Sequence, residues 1–376
     1  MSRRTALILT GGGARAAYQA GVLAAIAKLA GKQAPNPFPI ICGTSAGAIN
    51  AAGLACSADN FTRAVAMLNR VWGNMRAGDI YRADAPGIAL AGYRWLSALA
   101  VGWLTHQAPQ SLLDNTPLRD LLARHMDLAG IERAIAGGHL HALSITASGY
   151  DSGESISFFQ ARPEVADWHR AQRIGTRTEI GLEHLLASSA IPFVFPAIRI
   201  HREYFGDGSM RQLAPISPAI HLGAEKVLVI GAGRRREVLP REKSEGYPSL
   251  AQIAGHALSS IFLDSLAVDI ERMERINRTV AAIPAAVRAQ AGIQLKQLAT
   301  LVIAPSERLD LMAAEHAHAL PWPVRALLTG VGAMNRRGGA LTSYLLFERA
   351  YTRRLIELGY ADTLAQATAV GDFLEL

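Results

Sequence analysis

A single serine stands at the centre of Gly43-Thr44-Ser45-Ala46-Gly47, inside the stretch "ICGTSAGAIN". Glycines two places to either side let a backbone turn sharply enough to lift Oγ out of a sheet edge. An apolar run before it and small residues after it form the setting of a nucleophile elbow. The plainer reading is a tight turn that contains a serine. To attack an ester, the hydroxyl needs a proton acceptor within reach and donors for the oxyanion that forms. Gly11-Gly12-Gly13 follows the apolar run "TALILT" and opens a helical pattern, so its consecutive N–H groups are candidate donors, with the charge of Arg15 beside them. The acceptor has two kinds of candidate. All eleven histidines follow the serine, His184, His201, His221 and His256 among them, none in a local signature. Asp207, in "YFGDGSM", ends a short strand and enters a turn at Gly208, which would expose its carboxylate at a strand end. A free aspartate is ionised at neutral pH and a weak base; held against Oγ and partly desolvated, it can accept the proton. Asp-Gly-Ser is also a common β-turn sequence.

Other chemistries fit less well. Gly11-x-Gly13-x-x-Ala16 resembles a dinucleotide fingerprint, but that site needs an acid about 20 positions on, and no Asp or Glu precedes Asp59. A phosphate-binding P-loop needs Gly-Lys-Ser/Thr, which does not follow. His316 and His318 have no third ligand at metal spacing and read as a solvated helix face, so no metal or cofactor is expected.

The elements that must position these groups alternate. Apolar runs at 5–10, 38–44, 142–148, 154–159, 197–201, 226–232 and 300–305 read as strands. Between them "ARAAYQAGVLAAIAKLA" places Tyr18, Val22, Ile26 and Leu29 on one helical face, with Gly31 as its C-cap. "AGAINAAGLACS" is a small-residue helix able to approach a sheet closely, and "SPAIHLG" and the long run 249–277 are also helical. This alternation predicts an α/β fold: a three-layer α/β/α sandwich on a mainly parallel sheet with a helical C-terminal extension. Residues 1–232 would form the catalytic part, 233–249 a charged loop and 250–376 a mostly helical part, either separate or completing the same domain. "ASSAIPFVFP" (187–196) reads either as a core loop or as an apolar wall at the site.

With 376 residues, 50% hydrophobic and 18% charged, the chain can bury a large core. Its net charge of +7 permits contact with anionic lipid but forms no dense basic stripe, so no nucleic-acid partner is expected. Two cysteines, Cys42 and Cys56, make no disulfide framework and suit a reducing compartment. The N-terminal apolar run is too short for a signal peptide. Residues 85–104 are the most apolar long window and fall short of a membrane span; they read as a buried or interfacial helix and the candidate for transient membrane contact. The expected location is the cytoplasm, with peripheral contact at the membrane.

Gly11-Gly12-Gly13-x-Arg15, Gly43-x-Ser45-x-Gly47, "ASSAIPFVFP" and Asp207-Gly208, in this order, resemble the motif set of patatin-like phospholipases over roughly residues 5 to 230. "GYDSGESISFF" is similar to the strand pair before that family's third motif. The resemblance implies a lipid acyl hydrolase with a Ser–Asp dyad. Ser45 would be the nucleophile, Asp207 the proton acceptor and the Gly11–Gly13 amides the oxyanion hole, with Arg15, Gly43, Gly47 and Gly208 in support. It implies lipid or acyl-ester substrates and no metal. The sequence departs from the family in having Ser209 where Gly or Ala is usual, and Gln212-Leu213 where an Asn often follows. A catalytically silent lipid-binding protein and a Ser–His–Asp esterase are the alternatives. Oligomeric state is not legible.

Overall fold

The computed structural model describes residues 4–32, 34–87, 111–231, 233, 247–293, 295–330, 332–334 and 338–376. Among these, ten strands form one sheet: β1 (Thr5–Leu9), β2 (Ile40–Thr44), β3 (Ala142–Gly149), β4 (Ser155–Ala161), β5 (Trp168–Arg170), β6 (Arg173–Arg177), β7 (Ile198–Ile200), β8 (Glu203–Asp207), β9 (Lys226–Ile230) and β10 (Ala299–Ile303). Their order is β10-β9-β1-β2-β3-β4-β6-β5, with β8 on β3 and β7 on β8. The first five in that order run parallel. The expected strands are found within a residue or two of their predicted bounds, and the fold is the expected mixed α/β one with a mostly parallel sheet. Strands β5 and β6, "WHR" and "RIGTR", carry too few apolar residues to stand out in the sequence.

Four of the parallel strands, β9, β1, β2 and β3, are buried on both faces, which explains their apolar runs. Leu7 and Leu9 of β1 face one core; Ala6 and Ile8 face the other. The first core is covered by α1 (Ala17–Ala30), α2 (Ala46–Ala55) and α3 (Phe61–Asn74), joined by α8 (Gly339–Leu345) and α9 (Arg349–Leu364) from the far end of the chain. Helix α9 lies along α1 at backbone distance: a Cβ on Gly21 would overlap the Ile356 carbonyl. Gly31 caps α1 as predicted, with φ 90 and its N–H on the Ala27 carbonyl. Each fully buried Leu or Ile in these layers contributes about 1.5–3 kcal/mol.

Register brings the site together. Leu9 of β1 pairs with Gly43 of β2, so Gly11 and Ser45 emerge level, two residues beyond that pair. Strand β2 leaves β3 at the pair Thr44–Thr146, while β4 holds the other edge of β3 as far as Ser148. Strand β8 therefore takes over the edge that β2 vacates, and its last residue, Asp207, lies opposite Ala147. The carboxylate thus stands in line with the residue just past the end of β2, which is Ser45.

Candidate active site

Ser45 sits between β2 and α2 with φ 56, a left-handed value that costs a non-glycine residue about 1–3 kcal/mol. Two interactions hold it there. Its backbone N–H donates at 2.9 Å to Oγ of Ser188, the last residue of α5 (Leu182–Ser188), and that hydroxyl donates to the Thr146 carbonyl at 2.6 Å. Its own carbonyl accepts from Ala48 N–H at 2.8 Å, closing the first turn of α2. Gly47 lets α2 come down onto β1, where a Cβ would overlap the Leu9 carbonyl oxygen. Gly43 and Gly208 lie in equally close packing, against α2 and against β3 respectively.

The Ser45 hydroxyl donates to Asp207 Oδ2 at 2.6 Å. The other carboxylate oxygen accepts from Ser209 N–H at 2.9 Å. Asp207 has no exposed surface, and Ser45 has 1%. Burial away from water pushes the Asp207 carboxyl up to about 6, against the opposing pull of the hydrogen bonds from Ser45 and Ser209. A carboxylate raised that far is a better base than a free one and is still mostly ionised at pH 7.

Gly11, Gly12 and Gly13 form the turn from β1 into a short 3-10 segment (Gly13–Ala16). Gly13 has φ 54 and packs its Cα against the Tyr344 carbonyl of α8, so a side chain has neither the conformation nor the room. The amides of Gly11 and Gly12 donate to no acceptor among the described residues. Ser209, the departure from the family pattern, puts its hydroxyl against Gly11. Gln212, the other departure, accepts from Thr44 Oγ1 at 2.9 Å and donates to Thr146 Oγ1 at 3.3 Å, tying the loop after Asp207 to the end of β2. Arg15 is buried; its Nε donates to Ser343 Oγ at 2.8 Å and its guanidinium lies 4.1 Å from the Tyr344 ring centre, so its charge is directed to α8.

The candidate histidines are elsewhere. His184 Nδ1 accepts from Gly181 N–H, and its buried Nε2 has no partner among the described residues; burial holds the ring below its usual pKa. His221 stacks on Trp168 at 4.9 Å. His201 occupies the turn between β7 and β8, and His256 is exposed. His316 and His318 bond to helix carbonyls, and the described residues hold no group of three possible metal ligands.

Ser45 opens onto an apolar cavity. Helix α2 contributes Ile49, α3 contributes Leu68 and Trp72, and α4 (Thr116–His125) contributes Leu122. Ile191 and Phe195 close it, so the "ASSAIPFVFP" stretch is a wall of this cavity. Four polar side chains unforeseen in the sequence reading support these parts. Besides Ser188, Trp72 Nε1 donates to Asn50 Oδ1 at 2.7 Å, Asn50 Nδ2 to Gln19 Oε1 at 2.9 Å, and Gln19 Nε2 to the Thr10 carbonyl at 2.8 Å. This buried chain connects the cavity wall to the residue before the triple glycine. Its signal in the sequence was there: lone amides inside otherwise apolar helices.

Residues 7–220, more than half of the chain, match the family described as patatin-like phospholipase. The chain belongs to the patatin-like phospholipase family. A curated relative, a cGAMP-activated phospholipase of Pseudomonas aeruginosa, is 28% identical over 210 residues, which is 56% of this chain and 53% of the relative. This patatin-like chain thus spans about half the length of that relative. Among solved structures, VipD of Legionella pneumophila is similar at 12% identity and a TM-score of 0.35, over 95% of this chain and 67% of that one.

Proposed function

We propose that the protein is a lipid acyl hydrolase working through a Ser45–Asp207 dyad and an acyl-enzyme. The observation that carries this reading is the 2.6 Å hydrogen bond from Ser45 to a fully buried carboxylate, at the head of an apolar cavity. The acyl chain of a lipid lies in the cavity and its ester carbonyl reaches Ser45. As Oγ attacks the carbonyl carbon, its proton passes to Asp207 Oδ2, and negative charge gathers on the carbonyl oxygen. The free amides of the Gly11–Gly13 turn and the N-terminus of α2 face that charge. The tetrahedral species collapses, the carbon–oxygen bond to the alcohol breaks, and Asp207 returns the proton to the leaving oxygen. Water then attacks the acyl-Ser45 ester, again giving a proton to Asp207; the bond from the acyl carbon to Oγ breaks, Asp207 returns the proton to Oγ, and the fatty acid leaves with Ser45 restored.

No histidine takes part. The left-handed backbone of Ser45 keeps Oγ in line with Asp207, and Ser188 holds that backbone. The test is incubation of the purified protein with mixed phospholipid and neutral-lipid vesicles, with released fatty acids identified by mass spectrometry. The reading requires release by the parent protein and none above background by Ser45→Ala. Equal release by both would overturn it.

A further inference from the structure

Helix α6 (Leu250–Ser259) runs through a π turn (Ser260–Asp264) into α7 (Ser265–Ala282) as one rod. The rod has a fixed orientation against the sheet. Asn277 bonds both backbone groups of Leu298, just before β10, at the edge where the parallel strands begin. Phe262 packs on Gly11 at the opposite edge, the one that carries Ser45. Twelve residues, about 18 Å of helix at 1.5 Å per residue, separate Phe262 from Leu250, so α6 runs on from that edge.

One side of this projecting part is packed: Gly255 touches Ala340 of α8, and Phe262 stacks on Tyr344 at 5.1 Å. The other side is open and apolar, with Leu250 70% and Ile253 45% exposed. From Tyr247 to Phe262 the chain contains no Asp, Glu, Lys or Arg. A soluble helix normally turns charged residues to water; this one turns leucine and isoleucine. The same edge displays two more apolar side chains beside the cavity. Phe193 is 73% exposed with φ 64, an outlier for an aromatic residue. Its backbone is held by Leu112 N–H on its carbonyl, while its neighbours Ile191 and Phe195 turn inward to the cavity. Leu213 is 62% exposed and follows Gln212, which is bonded to Thr44.

We propose that this edge docks on an anionic phospholipid surface, with the outer stripe of α6, Phe193 and Leu213 entering the interface. The proposal rests on the reading of the chain as a lipid hydrolase and names the surface through which it meets its substrate. Charge selects lipid over a second copy of the chain. The protein carries +7, and Arg211 beside Leu213 is exposed without an ion pair among the described residues. Two such surfaces repel each other, whereas anionic headgroups attract each of them. Apolar side chains beside a cation suit an interfacial site.

The experiment uses the full chain as Ser45→Ala, so that vesicles are not consumed, and sediments it with sucrose-loaded vesicles. One set is phosphatidylcholine alone; the other contains about a quarter phosphatidylglycerol. The protein should partition onto the anionic set, and the double substitution Leu250→Asp with Ile253→Asp should weaken partition about tenfold or more. Phe193→Asn gives a second reading, because asparagine accepts the left-handed backbone and keeps the fold; it too should bind more weakly. Unchanged partition in both folded variants overturns the proposal. So does a stable dimer that Leu250→Asp with Ile253→Asp separates, since a second copy would then own the face. Vesicle binding by Ser45→Ala alongside a parent that releases no fatty acid supports the docking surface while removing the hydrolase reading.

Discussion

Ser45 and Asp207 lie 162 positions apart in sequence, and their side-chain oxygens meet at 2.6 Å. The meeting follows from strand lengths: β2 stops at Thr44, and β8 continues along the vacated edge of β3 until Asp207. Asp207, as a strand residue, could not shift by one place without turning its side chain to the other face of the sheet.

The carboxylate, and no imidazole, is the expected proton acceptor. Asp207→Asn keeps the shape and can still accept from Ser209 N–H, yet cannot take a proton from Oγ. Its kcat/KM on a soluble nitrophenyl ester should fall about 10³-fold or more. His221→Ala, which removes a ring stacked on Trp168, should stay within about threefold. Steady-state kinetics on the two variants distinguishes dyad from triad.

Acidity should act on rate and stability in opposite senses. The folded carboxyl of Asp207 sits at about 6, above the 3.8 of a free aspartate, because it is buried. The folded state therefore holds this proton more tightly than the unfolded chain does. Activity should decline as pH falls through about 6, when the acceptor fills. The cost of burying the charge is fully present above that pH and is relieved as pH drops toward 4. Asp207→Asn should accordingly be more stable than the parent at pH 8, by up to roughly 3 kcal/mol, with the gap closing near pH 4. Urea unfolding at the two pH values measures this.

The sequence was most informative where physics leaves few options. Apolar runs five residues long, stopped by glycines, can hardly be anything but buried strands, and Gly-x-Ser-x-Gly between such a run and a small-residue helix has few other uses. Less visible were contacts made by residues with no local signature. Ser188 reads as one of two serines in an apolar loop, and only the fold shows its hydroxyl under the Ser45 amide. The cavity walls from α3 and α4 needed tertiary packing to identify. The window 85–104 was the sequence candidate for membrane contact; its residues 88–104 lie outside the described residues, and the exposed apolar side chains described above lie elsewhere. Among the described residues one helical stretch, Leu250–Ala282, is long and apolar enough to cross a membrane, and 18% of its most apolar window is buried.

Ser188→Ala should show what the strained turn requires. The substitution leaves the Ser45 amide without its acceptor in a buried site, which costs about 1–3 kcal/mol. The turn would relax away from φ 56, and kcat should drop about 10- to 100-fold with little change in KM. Threonine at 188 restores a hydroxyl and should recover part of the loss, which a packing role alone would not explain.

Cavity depth should set acyl preference. Leu122→Trp adds bulk to the α4 wall, and Ile49→Trp does so on α2 next to Ser45. Across a series of nitrophenyl esters, either change should shift the optimum toward shorter chains, altering the long-to-short ratio of kcat/KM about tenfold. A ratio that stays constant would place the acyl chain elsewhere.

The dyad mechanism has one obligatory covalent species. Rapid quenching of the parent protein with a slowly hydrolysed nitrophenyl ester, followed by peptide mass spectrometry, should find the acyl group on Ser45. Asp207→Asn should yield little or none in the same time. An acyl group on another residue, or equal labelling of Ser45 without the carboxylate, would contradict the account.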